Sequence, residues 1–152
     1  MILLINPKTS KDDQIDVEQY FREPSLGLLY LAAILDSEEL NVDILDLEQY
    51  YHLNNQELEE LIKRKIKPYN IFGITCLTNT LSLSLKIAKI IKNASSSNIT
   101  IFGGPHATFQ YEEMLKLNID GERLIDFVCI GESEFSFLQL VKILKNAKEY
   151  NK

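Results

Sequence analysis

The sequence predicts an α/β fold in which helices cover both faces of a parallel sheet, and three observations lead to it. Five short runs rich in Ile, Val or Phe recur along the 152 residues. Each run is continuous rather than alternating, which is typical of strands buried on both faces. Segments with apolar residues at helical spacing separate these runs. Because strands that alternate with helices are joined by right-handed crossovers, the expected sheet is parallel.

The predicted elements alternate along the whole chain. The five predicted strands are Ile2–Asn6, Val42–Asp46, Ile71–Cys76, Ile99–Gly103 and Phe127–Ile130. The predicted helices are Leu26–Glu39, Gln56–Lys67, Leu81–Asn93, a shorter piece around Gln110–Leu117, and Glu134–Lys148. For five strands the default arrangement is the flavodoxin-like (Rossmann-like) order 2-1-3-4-5, with a switch point between strands one and three. We expect one domain over residues 1–152, with its ligand at the carboxyl edge of the sheet.

One predicted loop is unusually long, because residues 7–24 are polar and show no clear periodicity. Long loops in compact domains tend to be functional or disordered. Since this loop follows the first strand at the switch point, we expect it to be functional. The helix after it contains Gly27, which costs about 1 kcal/mol relative to alanine inside a helix. That glycine indicates a close approach by another group.

The composition excludes several classes of function. A content of 45% hydrophobic and 25% charged residues is ordinary for a globular domain, and the net charge of −6 argues against a nucleic-acid surface. No segment approaches the roughly 20 apolar residues of a membrane span, and no basic residues precede the first apolar run as in a signal peptide. Cys76 and Cys129 fall on predicted buried strands, so we expect free thiols in a cytoplasmic protein.

A glycine pair at the end of the predicted fourth strand is the most informative motif. The strand Ile99–Gly103 leads directly into Gly104, Pro105 and His106. Glycines have no Cβ atoms, so a ligand can lie directly against the backbone at this point. We therefore place a ligand site at the pair. We also expect a valine at Gly104 to block that site while leaving the fold intact.

Two other strand ends carry polar or flexible residues that would meet at the same edge. The segment after the third strand consists of Thr75, Cys76, Leu77, Thr78 and Asn79. Either Asn79 or Thr80 could cap the next helix, but this number of polar groups exceeds what a cap requires and favours ligand contact. After the fifth strand, Gly131 and Glu132 precede Ser133, which could cap the last helix.

Most standard catalytic signatures are absent from the sequence. The phosphate-binding, dinucleotide-binding and hydrolase glycine patterns do not occur. Cys76 and His106 could both lie near the carboxyl edge, where a thiolate could act as nucleophile and the imidazole as its base. No third residue that would orient this pair is evident. A thiol enzyme is therefore kept as an alternative, and we assign no catalytic residue and no direct metal ligand.

Six short motifs cover nearly the whole chain. They are Leu3-Leu-Ile-Asn-Pro7, Pro24-Ser-Leu-Gly-Leu-Leu-Tyr-Leu-Ala-Ala33, Val42-Asp-Ile-Leu-Asp46, Gly73-Ile-Thr-Cys-Leu-Thr78, Phe102-Gly-Gly-Pro-His-Ala-Thr108 and Ile130-Gly-Glu-Ser-Glu134. Together and in this order, they resemble the amino-terminal cobalamin-binding domain of cobalamin-dependent radical S-adenosylmethionine enzymes. Each motif is weak alone, but six in the same order are specific.

The resemblance implies a domain that holds cobalamin base-off, with the nucleotide tail running into the sheet edge. By this resemblance the hydroxyls of Thr75 and Thr78 meet the tail, and His106 with the backbone around Gly131 and Glu132 forms the outer wall. The cofactor-binding residues expected are Thr75, Cys76, Leu77, Thr78, Asn79, Gly103, Gly104, Pro105, His106, Gly131 and Glu132.

Two departures from related enzymes limit the expected activity. Methionine-synthase-like domains carry Asp-x-His-x-x-Gly after the first strand, whereas residues 7–24 contain no histidine, so no lower histidine ligand to cobalt is expected from that loop. The chain also lacks the Cys-x-x-x-Cys-x-x-Cys motif that holds the iron–sulfur cluster of the catalytic half. We expect a methyl carrier or cofactor platform for a radical S-adenosylmethionine partner or missing domain. A flavodoxin-like module that binds a flavin or only proteins is the remaining alternative.

Overall fold

A computed structural model of the protein describes residues 1–9 and 24–150, with side chains up to residue 147. The described strands are β1 (Ile2–Asn6), β2 (Val42–Asp46), β3 (Ile71–Thr75), β4 (Ile99–Gly103), β5 (Asn118–Ile119), β6 (Glu122–Arg123) and β7 (Phe127–Val128). The described helices are α1 (Leu26–Ser37), α2 (Asn55–Lys65), α3 (Leu81–Ala94), α4 (Pro105–Phe109), α5 (Tyr111–Lys116) and α6 (Glu134–Tyr150). Short 3₁₀ turns cover Leu47–Tyr50 and Thr78–Thr80.

The main sheet has the order β2-β1-β3-β4-β7, and all of its neighbours pair in parallel. The predicted flavodoxin-like order is therefore confirmed, with β7 as the fifth strand. The register places Leu4, Gly73 and Ile101 in one row across β1, β3 and β4. Thr75 and Gly103 lie opposite each other, one step nearer the carboxyl edge.

The central strands β1, β3 and β4 are buried on both faces, as their continuous apolar runs predict, whereas the edge strands β2 and β7 are partly exposed. One face packs under α1 and α6, and its buried residues are Ile2, Leu4, Leu28, Leu35, Ile71, Ile101, Cys129, Phe137, Leu138 and Val141. The other face packs mainly under α2 and α3, with Phe72, Ile74 and Phe102 among its buried side chains. No helix within residues 24–150 is both long enough and apolar enough to cross a membrane.

The region between β4 and β7 differs most from the prediction. The piece expected around Gln110–Leu117 consists of two short helices, α4 and α5, and α4 begins with Pro105 directly after the glycine pair. A small antiparallel hairpin of β5 and β6 then follows, which was not predicted. Its turn residues Asp120 and Gly121 both have positive φ angles, which two-residue hairpin turns require.

The strand β7 pairs with β4 over only two residues. A polar cluster at the amino edge of the sheet stabilises its position. One carboxylate oxygen of Asp126 accepts hydrogen bonds from the Thr100 backbone N–H at 2.7 Å and the Thr100 hydroxyl at 3.1 Å. The same oxygen lies 2.6 Å from the ammonium of Lys92, which is mostly buried. These contacts fix the start of β7 and thereby position the loop that follows it at the carboxyl edge.

Candidate functional site

A cavity of about 700 Å³ opens at the carboxyl edge of the sheet and reaches inward between the sheet, α1 and α6. This volume is within the usual range for small-molecule sites. The inner wall consists of Leu4, Gly73, Ile101, Leu28, Leu31 and Phe137. These residues come from three strands and two helices, so the site exists only once the sheet and both helices have assembled.

The mouth of the cavity is polar, in contrast to its inner wall. Asn6 ends β1, Glu48 lies in the 3₁₀ turn after β2, and both line the cavity. The Asn6 amide donates to Asp46 at 2.9 Å, and Asp46 also accepts from the Glu48 backbone N–H at 3.1 Å. Glu48 in turn accepts from the Thr9 backbone N–H at 2.7 Å. This chain of hydrogen bonds ties the segment after β1 to the end of β2.

The predicted functional loop falls mostly outside the described residues. Pro7 and Thr9 line the cavity, which is consistent with a role for the start of that loop. The Lys8 ammonium donates to the backbone carbonyls of Tyr50, Tyr51 and Leu53, the last at 2.8 Å. Residues 10–23 lie beyond the described part, and their role stays a prediction.

The two glycines of the central motif have different surroundings. A Cβ atom at Gly103 would have the Cys129 Cβ at 3.9 Å as its nearest neighbour, so the space beside Gly103 is open. A Cβ atom at Gly104 would lie 2.8 Å from the Thr75 hydroxyl and 3.1 Å from the backbone N and O of Cys76. Gly104 also has a φ of +89°, which disfavours other residues. The expectation that a valine at Gly104 would leave the fold intact is therefore wrong.

The loop after β7 is joined to the glycine pair through Thr108. The Thr108 hydroxyl donates to the Gly104 carbonyl at 3.0 Å and accepts from the Gly131 backbone N–H at 3.0 Å. Gly131 has a φ of +66°, and both Gly131 and Glu132 line the mouth of the cavity. One hydroxyl thus holds two strand-end loops in a fixed relation at the site.

Gly27 also lines the cavity, and sequence reasoning did not place it among the site residues. It is the second residue of α1 rather than a central one. Apart from its own helix turn, a Cβ atom there would have no atom of the described residues within 4 Å. The sequence predicts that another group approaches Gly27 closely, but no other described part of the chain does so. The space beside Gly27 is therefore available to a ligand.

Several predicted site residues lie away from this cavity. Thr78 and His106 line a smaller groove of about 340 Å³ beside α3 and α5, where the Thr78 hydroxyl is 3.1 Å from the His106 Nδ1. Asn79 is exposed on the 3₁₀ turn and lines neither space. Leu77 lines the cavity, and Pro105 lies between the cavity and the groove.

The predicted thiol–imidazole pair does not form between the described side chains. The Cys76 thiol is buried on the α2 and α3 side of the sheet and lies 3.5 Å from the Leu77 carbonyl. Burial raises the pKa of this thiol, although Ser84 and Thr80 act in the opposite direction. Because the thiolate is the nucleophilic form, this environment disfavours a catalytic role for Cys76.

The second cysteine also has a raised pKa, again chiefly because it is buried. Cys129 differs from Cys76 in lining the cavity, directly opposite Gly103 at the end of the sheet. Among residues 1–9 and 24–150, no three His, Cys, Asp or Glu side chains come together in a group that could hold a metal ion.

Comparison with known proteins decides the family. A family model described as the B12 binding domain matches residues 16–141, which is most of the chain. This chain belongs to the B12-binding domain family. The resemblance drawn from the six motifs is thereby confirmed, and cobalamin is the cofactor that the family indicates.

Relatives of this B12-binding domain are much longer proteins. An uncharacterized methyltransferase of Pyrococcus horikoshii is 37% identical over 127 residues, which are 83% of this chain and 26% of the relative. An anaerobic magnesium-protoporphyrin IX monomethyl ester cyclase of Synechocystis is 26% identical over 152 residues, which are 99% of this chain and 29% of the relative. The chain thus spans about a quarter of the length of the curated relatives it matches.

A solved structure shows the same fold. The radical S-adenosylmethionine methyltransferase TsrM from Kitasatospora setae superposes with a TM-score of 0.68 at 14% sequence identity. The match covers 96% of this B12-binding domain and 26% of the TsrM chain. At this identity the likeness concerns the fold.

The residues of the site fit cobalamin. Its nucleotide tail is long and carries ribose, phosphate and an aromatic base, so it needs a deep groove with polar groups at the entrance and apolar walls inside. Gly103 and Gly27 leave space in the cavity that side chains would fill. Thr75 and Glu132 offer hydrogen-bonding groups at the mouth. The Phe137 ring lies on the inner wall, where an aromatic base can pack.

Proposed function

We propose that this B12-binding domain holds cobalamin base-off, with the nucleotide tail extended into the cavity between the sheet, α1 and α6. The main support for this proposal is the shape of that cavity. It begins at the polar strand ends and continues inward along an apolar wall, and glycines leave room at both Gly103 and Gly27. A tail that fills this space keeps its base away from cobalt.

The chain's own residues would bind the tail in two ways. At the mouth, the Thr75 hydroxyl and the backbone around Gly131 and Glu132 can hydrogen-bond to ribose and phosphate oxygens. Further in, the side chains of Leu28 and Phe137 exclude water from the base. Tight burial of an aromatic base in an apolar space is favourable because it removes nonpolar surface from water.

Neither histidine of this chain lines the cavity. The sequence contains two, His52 and His106. His52 is exposed after the 3₁₀ turn that follows β2, and His106 lines the smaller groove rather than the cavity. We therefore propose that cobalt receives no lower histidine ligand from this domain.

We further propose that the domain serves methyl transfer, as a carrier or as a platform for a radical S-adenosylmethionine domain or partner. The relative from Pyrococcus horikoshii is named a methyltransferase, and TsrM, which shares the fold, is a radical S-adenosylmethionine methyltransferase. Bound cobalamin supplies a cobalt centre that accepts and releases a methyl group. The residues described above would hold and orient that cofactor.

A matched pair of variants on α1 tests the placement of the tail. Gly27→Leu puts a side chain into the open space of the cavity, whereas Ala33→Leu puts the same side chain on an exposed part of the same helix. Both should fold, as judged by circular dichroism. We expect Gly27→Leu to weaken cobalamin binding at least tenfold in a calorimetric titration and Ala33→Leu to leave it unchanged. Equal affinity in the two folded variants would contradict the placement.

A further inference from the structure

Among the residues that the structure describes, the inner wall of the cavity carries no polar side chain. It was defined above by Leu4, Gly73, Ile101, Leu28, Leu31 and Phe137. Among the described residues, the polar side chains that line the cavity come from strand ends, from the loops and 3₁₀ turns next to them, from Thr108 in α4, and from the first residue of α6. Polar recognition is therefore confined to the mouth, and the inner part can recognise a ligand only by shape and apolar contact.

The backbone of the inner wall offers no substitute for the missing polar side chains. Leu4, Gly73 and Ile101 lie within the parallel ladders of β1, β3 and β4, where the peptide groups pair with neighbouring strands. On the opposite side, the Phe137 backbone N–H donates to the Ser133 carbonyl at 2.7 Å. A polar atom of a ligand buried here would lose its hydrogen bonds to water without replacement.

Two side chains also narrow the inner part at Gly73. A Cβ atom at Gly73 would lie 2.7 Å from the Leu4 Cδ2 and 3.1 Å from the Phe137 Cζ. The Leu4 and Phe137 side chains thus occupy the space over Gly73, and a ligand that reaches this part of the cavity meets their apolar atoms.

From this wall we propose that the domain selects among cobamides by their lower base, favouring apolar benzimidazole-type bases over purines. The inference rests on the proposed function, because it requires the tail to occupy the cavity. Benzimidazole and purine share the same fused-ring shape, but purine has two further ring nitrogens that accept hydrogen bonds. These nitrogens would be buried against the inner wall without a hydrogen-bond donor from residues 1–9 or 24–150.

The direct test is a pair of titrations with cobamides that differ only in the lower base. We expect the benzimidazolyl cobamide to bind the unsubstituted chain about ten- to a hundredfold more tightly than the purinyl cobamide, which is the discrimination that an apolar pocket achieves against a polar isostere. Cobinamide, which lacks the nucleotide, should bind more weakly than cobalamin.

The two cobamides also differ in their free states, which affects their affinities for any protein. A variant on the inner wall controls for this difference, because the free cofactors are the same in both experiments. Leu31→Gln places an amide donor on the wall with little change in helix propensity, and Leu29→Gln makes the same change at a position that does not line the cavity. The ratio of the two dissociation constants should fall several-fold in Leu31→Gln relative to the unsubstituted chain. It should stay unchanged in Leu29→Gln, because that amide cannot reach the base.

The possible failures separate the two proposals. Equal affinity for benzimidazolyl and purinyl cobamides would overturn the inference, and so would an unchanged ratio of their dissociation constants in Leu31→Gln. If cobalamin still bound tightly in that case, the proposed function would stand. If cobinamide bound as tightly as cobalamin, the tail would not occupy the cavity and both proposals would fail. Absence of cobalamin binding by the folded chain would likewise overturn the proposed function and, with it, the inference.

Discussion

Replacing Gly104 with alanine adds one methyl group at a position where the protein has no room for it. The added carbon would lie 2.8 Å from the Thr75 hydroxyl and 3.1 Å from two backbone atoms of Cys76. A φ of +89° with a ψ of −179° lies in a region used almost only by glycine, and it costs a residue with a Cβ about 1–3 kcal/mol. The steric contacts add roughly 1–3 kcal/mol of overpacking. We expect Gly104→Ala to lower the free energy of unfolding by about 3 kcal/mol.

The neighbouring Gly103 provides the contrast. A Cβ atom there has only ordinary contact with Cys129, at 3.9 Å, and the residue ends a strand in which valine is favourable. We expect Gly103→Val to change the free energy of unfolding by less than about 1 kcal/mol. Because its side chain occupies part of the cavity, cobalamin affinity should fall at least tenfold.

Thermal unfolding and cofactor titration measure the two effects separately. For a chain of this size, a loss of about 3 kcal/mol lowers the melting temperature by roughly 6–12 °C. Gly104→Ala should show that shift, whereas Gly103→Val should melt close to the unsubstituted chain. If Gly104→Ala melted like the parent, or if folded Gly103→Val bound cobalamin with parental affinity, the assignment of different roles to the two glycines would be refuted.

Three further effects follow from other parts of the structure. Burial and the Asp43 carboxylate raise the pKa of Tyr69 to about 12. The protonated Tyr69 therefore contributes to folding stability below pH 10, and this contribution is lost as the pH rises towards 12. Asp43→Asn should lower the pKa of Tyr69 in a tyrosinate absorbance titration. Asp126→Ala should cost roughly 2–4 kcal/mol in urea unfolding, because it leaves the mostly buried Lys92 ammonium without its carboxylate. Cobalamin should slow alkylation of Cys129, which lines the cavity, and an unchanged alkylation rate would argue against binding there.

The parallel fold could be predicted because local pattern and global arrangement agree. Continuous apolar runs require burial on both faces, and alternation with helices then leaves few possible sheet orders. The hairpin of β5 and β6 was missed although Asp120-Gly121 is a typical two-residue turn signal. Its flanking strands are only two residues long and mostly exposed, so they lack the apolar alternation that marks a strand.

The site could be predicted only in part, because strand ends can be recognised in a sequence but the direction of each side chain there cannot. Thr75 lines the cavity, while the next residue, Cys76, is buried on the opposite side of the sheet. Neighbouring residues in extended chain point to opposite faces, so a motif does not act as one unit. Gly27 and Phe137 join the site from distant helices, and no local pattern links them to the glycine pair.

The central claim is that the nucleotide tail leaves cobalt and enters the cavity of this domain. Visible absorbance during a cobalamin titration at neutral pH tests it most directly, because base-on and base-off cobalamin differ in spectrum. We predict saturable binding of one cobalamin per chain with conversion to the base-off spectrum. Saturable binding that kept the base-on spectrum, or no binding by the folded chain, would contradict the claim.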